Sequence, residues 1–179
     1  DDLVRGLAEE VSEQTWHPVR AAVAYAGPED ATLDEAIFTL VNYLIGETDW
    51  WWHAGDYPQN IRGLETCIWL DPTWSEGFAN AAYLYWSLGR NTEAVATYRK
   101  NVQLNPDDWE AHFELGFYYF NAQKRFAAAA PKFARARELG APPVQARMHA
   151  HALEHAGRTR EALAVWRELQ AQVPDAPAV

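Results

Sequence analysis

Apolar residues in this chain recur in two registers that alternate along its length. Between Pro72 and Pro106, which lie 34 residues apart, the stretch "SEGFANAAYLYWSLGRNTEAVATYRKNVQLNP" reads as two helices. Ala81, Ala82, Tyr85 and Leu88 fall at three- and four-residue spacing, the period of one helix face. Gly89 then closes that helix, because glycine alone enters the left-handed conformation without steric cost. "GRNTEA" makes the turn, with Asn91 or Thr92 as the expected N-cap. Ala94, Val95, Tyr98 and Val102 give the second apolar stripe.

The layout returns downstream and upstream. Leu115, Gly116, Tyr119, Phe126, Ala129, Phe133 and Ala136 repeat it, then Ala150, Leu153, Gly157, Ala162, Trp166, Leu169 and Pro174. Before it stand Trp51, Gly55, Tyr57, Ile61, Leu64, Cys67 and Pro72. This pattern resembles the tetratricopeptide repeat. The resemblance covers residues 39–174 as four units, at about 39–71, 72–105, 106–141 and 142–174. It implies an all-α, right-handed superhelical solenoid of antiparallel helix pairs, each covering its neighbour's apolar face. Unit three carries one extra residue near Gln123–Lys124 and has Pro131 inside its second helix, where a kink is expected. Unit four is slightly short. Unit one departs most, with Thr48 where a small residue belongs and Asn60 where Ala is usual.

Residues 1–38 read as N-terminal capping helices, or alternatively as a degenerate fifth repeat. Thr32–Glu35, "TLDE", is a capping box whose helix runs on into the first repeat. Residues 175–179 read as a frayed tail.

Composition narrows the function. A net charge of −10 with 15 Lys+Arg argues against nucleic acid, whose phosphates demand a basic face. No apolar run approaches the roughly 20 residues that span a bilayer, so no membrane insertion is expected. A chain that begins at Asp1 reads as a trimmed piece, which leaves open a removed targeting segment. Cys67 is the single cysteine, which excludes an internal disulfide or a cysteine-based zinc site and slightly favours the cytoplasm. Aromatics make up 13% of the chain, more than a helical core needs, and this excess is the first functional hint.

In the repeat family the first helix of each pair lines the concave face, where peptides or helices bind. The resemblance places Asp49, Trp52 and His53 there from unit one, and Glu76, Ala79, Tyr83, Trp86 and Ser87 from unit two. Unit three gives Glu110, Phe113, Phe117, Phe120 and Asn121, and unit four Val144, Arg147, His151, Glu154 and His155. Of the adjacent Trp50, Trp51 and Trp52, the register makes Trp51 core, sends Trp52 to the groove and puts Trp50 under the N-terminal cap. An apolar surface of this size marks a binding site, and aromatic rings anchor interfaces. The matching positions lack the Lys, Asn and Arg that clamp a terminal carboxylate in one subfamily. The expected partner is therefore a protein or peptide, apolar and, given the flanking acids, basic. Two alternatives stand beside it: a small-ligand or metal-binding protein using the same groove, and a structural homodimer that fills the groove with a second copy.

Catalytic readings are set aside. "HALEH", His151 to His155, has the spacing of an inverted zinc-peptidase motif, but a third protein ligand is needed and the repeat register already explains the spacing. His149, His151 and His155, with His53 across the groove, remain as adventitious metal binders, and no cofactor is expected. No nucleophile elbow, P-loop or dinucleotide fingerprint occurs.

Overall fold

The computed structural model describes residues 33–172, and every regular element among them is an α-helix. They are α1 (Leu33–Ala54), α2 (Tyr57–Leu70), α3 (Ser75–Ser87), α4 (Asn91–Leu104), α5 (Trp109–Asn121), α6 (Phe126–Glu138), α7 (Pro143–His155) and α8 (Thr159–Gln172). Connections of two to four residues join them, and within each unit such short connections run successive helices antiparallel. α1 runs through residue 38 without a break, for 22 residues. Residues 1–32 of the expected cap, with Thr32 of its capping box, lie outside the described residues, as does the 175–179 tail. The chain divides into two compact units, Asp1–Gly77 and Phe78–Val179.

In the first unit α1 packs against α2 around Val41, Leu44, Trp51 and Cys67. Trp51 is 5% exposed, as the register requires of a core ring. Its indole is large for the gap between two helices, and Gly63 on α2 makes the room. A Cβ on Gly63 would stand 2.5 Å from the Trp51 ring. The two departures from the repeat pattern resolve into one contact. Buried Asn60 donates its side-chain amide to the Thr48 main-chain carbonyl at 2.7 Å, while the Thr48 hydroxyl donates to the Ile45 carbonyl at 2.7 Å. Asp56 starts α2 by accepting from the Gln59 amide at 3.1 Å.

The second unit stacks α5 on α6, α6 on α7 and α7 on α8. Its core alternates small and large side chains. Ala81, Ala82, Ala111, Ala129, Ala136 and Ala150 let the helices approach, and Phe78, Tyr118, Phe133 and Leu153 fill what remains. The expected N-cap at Asn91 or Thr92 shifts by one or two residues: Arg90 occupies it, with no side-chain capping bond. Arg90 instead reaches Glu93 at 3.0 Å, and Arg158 pairs with Glu161 in the same way, at 2.6 Å. Each pair sets a carboxylate in the first turn, where the helix dipole favours it. α6 continues through Pro131.

Each hairpin closes by one device. Gly55, Gly89 and Gly157 sit at φ of +75°, +75° and +76°. The next amide then reaches back five positions: Asp56 to the Trp51 carbonyl, Arg90 to Tyr85 and Arg158 to Leu153, at 2.9, 2.8 and 2.8 Å. The hairpin between α5 and α6 carries the extra residue and has no glycine. There Lys124 takes the left-handed conformation at φ +51°, and the Arg125 amide reaches the Tyr119 carbonyl at 2.8 Å. In all four hairpins the carbonyl belongs to the buried residue that packs between the helices.

Candidate interaction surface

The residues expected to face the groove fall in both units. In the first, Asp49, Trp52 and His53 are exposed on the last turns of α1. His53 Nε2 is 3.6 Å from Asp49 Oδ1, and Trp52, 43% exposed, stands edge-on to Tyr57 with ring centroids 5.9 Å apart. Glu76 is exposed at the start of α3. Trp50 is 62% exposed, and the segment expected over it lies outside the described residues.

The second unit brings the aromatics together. Tyr83, 47% exposed, meets Trp86 edge-on at 6.0 Å, and Trp86 meets Tyr118 edge-on at 5.8 Å. Phe113 and Phe117 stack at 6.0 Å. Phe113 and Phe120 both lean on buried Phe133, at 5.5 and 6.3 Å. Trp86, Phe113, Phe117 and Phe120 are half-buried, each against a neighbouring ring. Glu110 is exposed beside them and Asn121 half-buried.

Arg147, His151, Glu154 and His155 are exposed on α7. The two histidines of "HALEH" take different partners. His151 Nδ1 lies 3.2 Å from Glu154 Oε2, while Trp166 on α8 donates its indole N–H to Glu154 Oε1 at 2.9 Å. The His155 ring stacks on Phe126 at 4.7 Å and touches Phe120 edge-on. Burial lowers the pKa of His149, and Arg137 and Arg158 lower it further. Among the described residues no group of three or more His, Cys, Asp or Glu is placed to hold a metal. The Cys67 thiol is pushed up to about 12 by burial, so it stays protonated and inert at neutral pH.

One residue of this surface was missed from the sequence. Glu114 on α5 is half-buried, and burial raises its carboxyl above the ordinary range, with the Glu110 charge adding to the effect. A glutamate four residues from Glu110 and four from Tyr118 reads as a solvated helix face; only the packing of α4 beside it reveals the lost water.

Comparison with known proteins adds to this geometry. The TPR repeat family model matches residues 82–123. BBSome complex member BBS4 of Xenopus tropicalis is 32% identical over 65 residues, which is 36% of this chain and 13% of that protein. The chain thus spans a small part of that relative. A crystal structure of MamA superposes with a TM-score of 0.58 at 21% identity, over 71% of this chain and 74% of that one. Another MamA structure gives 0.60 at 19%, over 93% and 94%. PilW, a type IV pilus biogenesis factor, gives 0.60 at 20%, over 75% and 63%. Fold and comparisons define an all-α solenoid built of repeated helix pairs. Within that class the chain is similar to tetratricopeptide-repeat proteins, and residues 82–123 carry the match to that family. Among the described residues no helix is long and apolar enough to cross a membrane.

Proposed function

We propose that this chain is a protein-interaction module, an adaptor or assembly factor, that takes an apolar, basic peptide or helix of another protein on the aromatic face of α3, α5 and α7. The observation that carries this reading is the set of half-buried rings, Trp86, Phe113, Phe117 and Phe120, with Tyr83 exposed beside them. Apolar area held at the surface by packing beneath it is costly to leave wet and gains most by being covered. Two of the similar proteins are named for assemblies, a BBSome complex member and a pilus biogenesis factor, in keeping with a scaffold role.

The test is a crosslinking pull-down with a photoreactive residue in place of Tyr83, compared with a Trp86→Ala, Phe117→Ala double variant. The expected result is a defined partner crosslinked at position 83 and lost from the double variant, with its helical circular dichroism kept. Recovery of the same partners by the double variant would refute the reading.

A further inference from the structure

Resting on that reading, we propose that Glu114 is the anchor for a cationic side chain of the partner, so that the bound segment carries an arginine or lysine beside its apolar residues.

The placement comes from register and ring contacts. Glu114 lies one turn after Glu110 and one turn before Tyr118 on the same side of α5. Tyr118 is fixed: Trp86 of α3 meets it at 5.8 Å, Tyr98 of α4 at 5.3 Å, and its hydroxyl donates to the Asn91 carbonyl at 3.1 Å. That side of α5 therefore faces the aromatic residues of the preceding helix pair. Glu114, half-buried one turn from Tyr118, lies on that side. The Tyr98 hydroxyl registers this position, since its acidity is weakened by burial first and by the Glu114 charge second.

A carboxylate that leaves water normally receives a cation or several hydrogen bonds in exchange. Glu114 receives neither among the described residues. No cation acts on its carboxyl, whose surroundings are burial and the Glu110 charge, and Arg90, Arg99, Arg125 and Arg135 pair with Glu93, the Tyr119 hydroxyl, Gln123, and Asp107 with Glu138. The titratable groups facing it are Glu110 on its own helix and Tyr98 across from it, neither of them a cation. The unit thus holds a desolvated negative charge next to aromatic faces that themselves attract cations. A guanidinium or ammonium group arriving with apolar neighbours satisfies both.

The sign of the cost gives an independent readout. The folded-state pKa of Glu114 is raised above its unfolded value, so its contribution to stability is fully present below the unfolded carboxylate pKa. It is lost as pH rises through the folded pKa. Glu114→Gln removes that loss. The variant should melt higher than the wild type near pH 7, with the gain shrinking as pH falls through the raised folded pKa and gone below about 4, the ordinary carboxylate range.

Binding is tested with two immobilised pools of short peptides, randomised over Leu, Phe and Ala around one central residue. That residue is arginine in one pool and citrulline, its neutral isostere, in the other. The wild type should retain the arginine pool about tenfold better, the order expected when a hydrogen bond to a charged group is lost. Glu114→Gln should hold both pools equally, and Trp86→Ala should hold neither well. Equal retention of the two pools by the wild type would overturn the role of Glu114 and leave the aromatic face standing. Retention of neither would overturn both. A Glu114→Gln variant that melts lower near pH 7 would show a carboxylate already satisfied within the chain, and would also overturn the inference.

Discussion

Asn60 shows how one residue departs from a repeat pattern and still serves it. Its amide fills the place of a small side chain and bonds the Thr48 main-chain carbonyl, while the Thr48 hydroxyl bonds the Ile45 carbonyl. Asn60→Ala would match the usual repeat residue more closely, yet it removes the bond that ties α2 to α1 at this point. We expect a loss of about 1 kcal/mol in urea unfolding, the contribution of one typical hydrogen bond. An unchanged or higher midpoint would mean that the methyl packs as well as the amide bonds. From sequence, Asn60 and Thr48 could be seen only as two separate exceptions; their contact spans 12 residues and depends on how closely α1 and α2 approach. Glu114 escaped for a related reason. Residue type and spacing announce a charge, whereas desolvation belongs to the neighbouring helix.

At the level of elements, the helix pairs were legible because Trp51, Tyr85, Tyr119 and Leu153 return every 34 residues with apolar stripes around them. The ends were less so. Asn91 and Thr92 are good capping residues, but the hairpin is closed from the backbone, and that closure puts Arg90 at the cap. The extra residue near Gln123–Lys124 was visible as a spacing error, and the structure gives it a form: a left-handed Lys124. A side chain there pays for a conformation that glycine adopts freely. Lys124→Gly should therefore raise stability by up to about 1 kcal/mol, and Gly89→Ala should lower it by about the same or somewhat more. Thermal melts of the two variants check both signs. A Lys124→Gly chain that melts lower would place the lysine side chain in a contact that outweighs the strain.

For the molecule as a whole, charge sets the terms of encounter. A net charge of −10, with acids flanking the aromatics of α3 and α5, would draw the proposed basic segment in from solution before any ring is covered. Association with the arginine peptide pool should slow several-fold as ionic strength rises from about 20 to 500 mM, while dissociation changes less, since screening shortens the reach of the field and not the contact. Stopped-flow measurement at both salt levels separates the two; a salt-independent association rate would assign recognition to the aromatic face alone. The hairpin closure has a consequence at this same scale. Each returning amide takes the carbonyl of the buried residue, whether that residue is Trp51, Tyr85, Tyr119 or Leu153. Main chain, not side chain, keeps the count. In the hairpin before α6 the extra residue is taken up in the turn, and the same kind of carbonyl still ends the helix. The hairpins thus serve as expansion joints, where a residue can be added without changing which carbonyl closes the pair.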